Sequence, residues 1–263
     1  MNKETKGMLI GFVGILIFSL TLPVTKIVLG SFNPYFIAFG RAFLAGLFAL
    51  AYLLYTKAPL PAQSDLLKLA VIALGVIFGF PILTTIAMQE GSSAHGAVIL
   101  GMMPLATTVI GVIRFRERPS LGFWLVSILG AGLVVVYALL KELSRKMSPP
   151  QVISWALLIS LPVNLVATYF SFSTVYWSAD SFIWTSFIYL GLFPMYLGFF
   201  FWYGGLAIGG IARVSQVQLI QPFCTLIAAS LILGDRLTLM NMIFAFLVVS
   251  TVVLSKKMLV KRH

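Results

Sequence analysis

The chain has 263 residues, of which 60% are hydrophobic and only 10% are charged, and its mean hydropathy is +1.04. A soluble domain carries roughly 25% charged and about 45–50% apolar residues, so this chain lacks the polar residues that a water-exposed surface needs. The composition excludes a soluble enzyme, a disordered chain and a secreted disulfide scaffold. It predicts a protein that crosses a membrane several times.

The chain is also strongly basic, with 18 Lys and Arg against 7 Asp and Glu and a net charge of +11. In a soluble protein this balance would indicate nucleic acid as a partner. Here the basic residues lie mostly between apolar runs, where cytoplasmic loops collect Lys and Arg. We therefore expect a lipid bilayer and no nucleic acid as a partner. Cys224 is the only cysteine, which excludes an intramolecular disulfide.

Apolar stretches of the length of a membrane span recur from Gly7 to Leu254. A spanning helix needs about 20 largely apolar residues, and these stretches lack the alternation of β-barrel strands. We predict an all-α polytopic membrane protein, a helix bundle with a cytoplasmic N-terminus and nine countable transmembrane helices. The predicted helices lie near residues 7–29, 34–56, 66–89, 95–114, 121–141, 150–173, 181–204, 211–233 and 238–258.

Six prolines lie inside these predicted spans, where each removes a backbone hydrogen bond and bends its helix. Membrane helices tolerate proline, but so many interior prolines favour a bundle that bends around a cavity, which is typical of transporters. The predicted helix-bending residues are Pro23, Pro81, Pro104, Pro162, Pro194 and Pro222.

The chain contains an internal repeat with a shift of 118 residues, and the two copies align without gaps over residues 91–121 and 209–239. The alignment pairs Gly91 with Gly209, Ala94 with Ala212, Pro104 with Pro222, Thr107 with Thr225 and Arg118 with Arg236. The chain is therefore predicted to be two copies of one unit. We assign residues 1–140 to the first copy, with five helices, and residues 141–263 to the second, with four.

Charge predicts that the two copies have opposite orientations in the membrane. Residues 114–118 carry three arginines and one glutamate, whereas the matching residues 232–236 carry no net charge. Since cytoplasmic loops retain positive charge, we predict an inverted repeat, with a substrate site near the membrane midplane. Arg116 and His263 would then both be cytoplasmic. The second copy lacks a counterpart of residues 7–29, which predicts the deletion of one helix near residues 141–148.

Each half carries its own set of short motifs. They are RAFLAG at 41–46, SAHGA at 93–97, MPL at 103–105 and RER at 116–118, then FWYGG at 201–205, ARVS at 212–215, QP at 221–222 and GDRL at 234–237. With these motifs the chain resembles the EamA-type transporters of the drug/metabolite transporter superfamily. The resemblance implies export or exchange of small metabolites, often amino-acid-like, across a bacterial inner membrane. The chain departs from the family's usual ten spans, and Gln221 stands where the family often has Glu.

Charged residues within spans are the first candidates for a substrate site, because a charge at the membrane centre costs about 2.5–3.5 kcal/mol or more. Lys26 lies near the end of the first span and Arg41 about two turns into the second. Either side chain has a structural alternative, which is snorkelling for Lys26 and helix-end pairing for Arg41. All acidic residues lie at predicted span ends or in loops: Glu4, Asp65, Glu90, Glu117, Glu142, Asp180 and Asp235. We therefore predict an anionic or zwitterionic substrate.

Uncharged polar residues add further candidates, and the two glutamines among them have an equally plausible role in helix packing. Gln218, Gln221 and Thr225 have the spacing of one helix face, and Tyr196 and Asn164 lie inside spans. Trp202 and Tyr203 are predicted to lie at a membrane interface. Glu90 and His95 flank one loop and are weak candidates for proton coupling, with a surface role for His95 favoured.

Three functions remain open from the sequence. The leading prediction is a transporter that works by alternating access. A degenerate, non-transporting membrane component is the alternative that the missing helix suggests, and a homodimer would close the gap that this helix leaves. A membrane-embedded enzyme is the third, but the motifs of metalloproteases, serine hydrolases and P-loop proteins are absent from the sequence. We expect no cofactor and no metal site.

Overall fold

The computed structural model describes residues 2–90, 146–210 and 214–234, together with Leu143, Leu239, Ile243 and Phe246. Within these residues the structure is helical, without a β-strand. Five helical segments in this part are long and apolar enough to cross a membrane: Lys3–Leu29, Pro34–Tyr55, Gln63–Gln89, Pro150–Ser171 and Ser181–Gly209. They confirm the predicted spans 7–29, 34–56, 66–89, 150–173 and 181–204. The predicted spans 95–114 and 121–141 lie outside the described residues, as does 238–258 apart from Leu239, Ile243 and Phe246. In the predicted span 211–233 the structure has a shorter apolar helix, Gln221–Leu233. The count of nine therefore stays a prediction.

The helices of the described part are numbered here in chain order. They are α1 (Lys3–Ser19), α2 (Thr21–Leu29), α3 (Pro34–Tyr55), α4 (Gln63–Ile72), α5 (Phe80–Glu90), α6 (Pro149–Ser171), α7 (Ser181–Leu192), α8 (Gly198–Gly209) and α9 (Gln221–Leu233). Between them lie π-helical turns at Ala73–Gly79 and Phe193–Leu197 and 3₁₀ turns at Thr174–Ser178 and Ser215–Ile220.

Four of the six prolines predicted to bend helices lie where a helix changes its geometry. The first span breaks at Leu20 between α1 and α2, because Pro23 has no N–H to donate to the carbonyl of Ser19. Three further prolines lie in or just after irregular turns. Pro81 comes after the first π-helical turn, Pro194 lies in the second, and Pro222 follows a 3₁₀ turn. These four prolines lie at interruptions of regular α-helix, and their role in bending the helices stays a prediction. Pro162 lies inside the continuous helix α6, and Pro104 lies outside the described residues.

Glycines bring α1 and α8 into direct backbone contact. A Cβ atom on Gly7 would collide with the backbone of Gly209, and one on Gly205 would lie 2.7 Å from both the nitrogen of Gly11 and the carbonyl oxygen of Gly7. One on Gly14 would lie 3.0 Å from the carbonyl oxygen of Gly198. The two helices are therefore antiparallel and lie closer together than any larger residue permits, which is the usual use of small residues between membrane helices.

Helices α3 and α6 are also antiparallel neighbours. The rings of Phe36 and Phe172 lie 5.6 Å apart, near the beginning of α3 and after the end of α6. Further along, a Cβ atom on Gly46 would meet Leu161 Cδ1 at 2.5 Å. Helix α7 packs on the same stretch of α3, because a Cβ atom on Gly191 would lie 3.1 Å from the carbonyl oxygen of Arg41.

The antiparallel contacts define two ends of the bundle. One, which we call the basic end, contains the beginnings of α1, α4 and α6 and the ends of α3 and α8. Its described basic residues are Lys3, Lys6, Lys57, Lys68 and Lys146. The opposite end, called the far end, holds the α2–α3 connection and the α6–α7 connection with Asp180. The positive-inside rule predicts that the basic end faces the cytoplasm.

Candidate functional site

Arg41 is a cation in the interior of the bundle. Its residue is only 2% exposed, and it lies seven residues after the first residue of α3, about 10 Å from the far end. Among the residues that the structure describes, no acceptor lies within hydrogen-bond distance of Arg41 Nε. A buried donor without an acceptor is costly, and more so when it belongs to a charged group. The site is therefore suited to an anion that binds and supplies the missing acceptor.

Asn164 lies at the same level of the bundle as Arg41. The ring contact places Phe36 opposite Phe172, so Arg41, five residues after Phe36, lies opposite position 167 of the antiparallel helix α6. The contact of Gly46 with Leu161 gives a similar result, because Arg41, five residues before Gly46, then lies opposite position 166. Asn164 is within one turn of both positions, and it is 0% exposed. It follows Leu161 by three residues, which places it on the side of α6 that faces α3.

Hydrogen bonds within α6 fix the orientation of the Asn164 amide. Ser160 Oγ donates to the carbonyl oxygen of Leu157 at 2.9 Å, which uses its only proton. Asn164 Nδ2 donates to Ser160 Oγ at 3.1 Å. The amide oxygen Oδ1 therefore points away from Ser160, and within the described part of the chain it has no hydrogen-bond partner. It is a buried acceptor at the level of a buried cation.

Two threonines that were not among the predicted candidates add polar groups in the half of the bundle toward the far end. Thr25 and Thr168 each have a buried Oγ1 without a hydrogen-bond partner among the described residues. Thr168 lies one turn beyond Asn164 on α6. Thr25 lies on α2, where its neighbours Val24 and Val28 join the hydrophobic cluster of α7. The spacing of Ser160, Asn164 and Thr168 by four residues each was a visible signal for a polar row on one side of an apolar helix.

Aromatic rings close the bundle between this level and the far end. Phe32 lies 4.8 Å from both Tyr176 and Trp184, measured between ring centroids, and Phe36 stacks on Phe187 at 5.1 Å. The backbone N–H of Asn33 donates to the hydroxyl of Tyr176 at 3.2 Å. Phe32 and Phe36 are each only 3% exposed. The rings thus cover the level of Arg41 from the far end.

Lys26, the second predicted intramembrane cation, contacts the end of another helix. Its Nζ donates to the carbonyl oxygens of Met88 at 2.8 Å and of Gln89 at 3.4 Å, at the end of α5. A cation at the C-terminus of a helix satisfies free carbonyl groups and stabilises the helix dipole. Lys26 therefore joins α2 to α5, which leaves Arg41 as the stronger candidate for binding a substrate.

Tyr196 lies at a different level from Arg41. Its hydroxyl is 2.8 Å from Ser154 Oγ, and its ring packs on Phe200 with centroids 4.7 Å apart. Ser154 precedes Asn164 by ten residues on α6, which corresponds to about 15 Å. Tyr196 is therefore buried near the basic end. The structure also corrects the prediction for Trp202 and Tyr203, which are 8% and 7% exposed rather than interfacial, because α8 continues to Gly209.

The predicted polar face of the second repeat is divided between environments. Thr225 is 2% exposed, Gln221 is partly buried and Gln218 is exposed. Gln218 lies in the 3₁₀ turn that precedes α9 rather than in an α-helix. The carbonyl oxygen of Gln221 accepts a hydrogen bond from Ser19 Oγ at 3.5 Å, which joins the break of the first span to the beginning of α9.

The remaining candidates lie at or beyond the limits of the described part. Glu90 is the last residue of α5, and His95 lies outside the described residues. Within the described residues no group of three or more His, Cys, Asp or Glu side chains is placed to hold a metal ion.

Comparison with known families decides the family of the chain. The EamA-like transporter family matches residues 5–137 and again residues 129–256. The chain belongs to the EamA-like transporter family. It is thus a multi-pass membrane protein of a transporter family, in agreement with the resemblance found in the sequence. The two matches to this EamA protein overlap over residues 129–137.

A bacterial relative supports the same assignment. The "Uncharacterized transporter YdeK" of Bacillus subtilis (strain 168) is 40% identical, over 90% of this chain and 92% of the relative. The alignment is 263 positions long, whereas 90% of this 263-residue chain is about 237 residues. About 26 alignment positions therefore have no residue in the EamA protein described here.

One solved structure has the same fold. A protein of known crystal structure is similar with a TM-score of 0.64 at 15% sequence identity, covering 97% of this chain and 99% of the other. At this low identity the likeness concerns the fold alone.

Proposed function

We propose that the protein transports a small anionic or zwitterionic metabolite, such as an amino-acid-like compound, across the bacterial inner membrane. The observation that carries the proposal is Arg41, a guanidinium that is 2% exposed and lacks a partner for Nε among the described residues. A guanidinium binds a carboxylate with two parallel hydrogen bonds. All seven acidic residues lie at predicted span ends or in loops, so the substrate itself is the natural counter-ion.

Alternating access is the mechanism that the arrangement supports. The aromatic rings around Phe32 cover Arg41 from the far end, and the interrupted helices at Leu20 and around Pro81, Pro194 and Pro222 supply points at which helices can bend. Transport would require these rings to separate while the basic end closes. Export or exchange is the direction that the family resemblance implies.

A second candidate is a non-transporting membrane component that derives from a transporter. It is favoured by the overlap of the two family matches over residues 129–137 and by the gap of about 26 alignment positions against the relative. Together they suggest that one predicted helix has to serve both copies. A homodimer that covers the resulting opening is the arrangement in which such a chain would keep its activity.

Binding measurements on Arg41 variants test the proposal. Arg41→Lys keeps the charge but loses the planar fork, and Arg41→Ala loses both. We expect carboxylate affinity to weaken in the first variant and to fall by about 1.5–3 kcal/mol in the second. An uncharged lipophilic ligand serves as the control and should bind all three proteins equally. Equal carboxylate binding by all three proteins would assign Arg41 a purely structural role.

A further inference from the structure

Arg41 and Asn164 together indicate what kind of anion the site accepts. We propose that they bind one substrate with a single negative charge and a neutral hydrogen-bond donor beside it, as in a hydroxy carboxylate. This inference rests on the proposed function, and it separates two substrate classes that the sequence left open. It selects the monoanion over the zwitterion.

The donor on the substrate follows from the free acceptor on Asn164. Because Ser160 Oγ gives its proton to Leu157, Asn164 has to donate its amide N–H to Ser160, and its Oδ1 remains free. A buried acceptor that stays unpaired costs free energy that a ligand donor recovers. The substrate therefore needs a hydroxyl or an amide N–H near its carboxylate, on the side of α6.

The charge of the site excludes an ammonium group as that donor. A carboxylate neutralises Arg41, so a monoanion leaves the site of Arg41 and Asn164 without net charge, while Lys26 is held at the end of α5. A zwitterion adds one uncompensated positive charge, and all carboxylates of the chain lie at predicted span ends or in loops. Asp65, which is buried, lies at the basic end and is paired with Lys146 and Lys68. A neutral amide oxygen does not offset the desolvation of an ammonium group.

A matched series of ligands tests this selectivity on the full chain in detergent. Propanoate, 2-hydroxypropanoate and alanine share one skeleton and differ only in the group at C2, and their 3-phenyl derivatives repeat the series at larger size. We expect the hydroxy acid to bind about two- to tenfold more tightly than the unsubstituted acid, which is the effect of one hydrogen bond. The amino acid should bind most weakly of the three.

Variants of Asn164 then assign the selectivity to this residue. Asn164→Leu should reduce the affinity for the hydroxy acid to that for the unsubstituted acid. Asn164→Asp adds the missing negative charge and should make the amino acid the preferred ligand. Val163→Leu, next to it on the exposed side of α6, should keep the wild-type order. Melting temperatures establish that each variant is folded.

Failure of this inference differs from failure of the proposed function. A wild-type preference for the amino acid, an unchanged preference in Asn164→Leu, or no binding of either series would overturn the hydroxy-carboxylate assignment. If instead Arg41→Gln binds every ligand as the wild type does, the proposed function itself is wrong.

Discussion

Lys146 Nζ lies 3.0 and 3.1 Å from the two carboxylate oxygens of Asp65. Asp65 is only 1% exposed, and it also accepts a hydrogen bond from Lys68 at 3.3 Å. The contact joins the beginning of α4 to the residues just before α6, so both lie at the basic end. Three predicted spans lie between these residues, near 66–89, 95–114 and 121–141. If each of them crossed the membrane, Lys146 would lie at the far end. The contact therefore disagrees with strict alternation of the predicted spans.

Labelling from each side of the membrane tests this arrangement. In a Cys224→Ser background, Lys57→Cys and Lys146→Cys should react with a membrane-impermeant thiol reagent only from the cytoplasmic side. Ser31→Cys and Ser178→Cys, exposed at the far end, should react only from the other side. Labelling of Lys57→Cys and Lys146→Cys from opposite sides would show that the chain alternates after all.

Neighbouring glycines on α8 test the contact with α1. A Cβ atom at Gly205 would lie 2.7 Å from backbone atoms of Gly7 and Gly11, whereas one at Gly204 would meet only Ile10 Cγ2 at 4.0 Å. Gly205→Ala should therefore lower the free energy of unfolding by about 1–3 kcal/mol or more. Gly204→Ala should leave it unchanged or slightly raise it. Equal melting temperatures for the two variants in detergent would contradict this helix contact.

Adjacent aromatic residues in the α6–α7 connection test the closure of the far end. Tyr176 is 8% exposed and packs on Phe32 and Phe36, while Trp177 is 72% exposed. Tyr176→Ala should cost about 3–5 kcal/mol of unfolding free energy, and Trp177→Ala about 1 kcal/mol. Denaturant titration measures both. A larger loss for Trp177→Ala would mean that the cluster does not hold this end together.

If the second copy lacks one helix, as the sequence predicts, the protein should respond to an added helix. Inserting about 30 residues, a span with its connections, from a ten-span relative after Leu140 should raise the melting temperature and the transport rate. The added helix would cover surfaces that otherwise face lipid or a second copy. If the unmodified chain is already a stable and active monomer, the deletion and its penalty are both wrong.

The sequence predicted the elements well because apolar length determines membrane spans. The five confirmed spans match within a few residues at their ends, and the prolines at positions 23, 81, 194 and 222 mark the interruptions. The family followed from motifs in both halves. The contact between α1 and α8 was not predicted, because glycines such as Gly7 and Gly205 are common throughout membrane helices. Which of these glycines meet depends on the register of the two helices.

The site was predicted in part. Arg41 and Asn164 were both candidates, but nothing in the sequence showed that they share a level, because this depends on the antiparallel register of α3 and α6. Lys26 looked equivalent to Arg41 until the carbonyl oxygens at the end of α5 were placed beside it. Thr25 was missed, since a single threonine is common in membrane helices.

Transport by the purified protein in liposomes tests the central claim most directly. Vesicles loaded with an unlabelled carboxylate are diluted into the radiolabelled compound, and its accumulation is followed for the wild type, Arg41→Gln and empty vesicles. The account predicts accumulation by the wild type and, because the buried cation is lost, at least a tenfold slower rate for Arg41→Gln. Equal rates for wild type and Arg41→Gln, both above the empty vesicles, would contradict the role of Arg41 in holding the substrate.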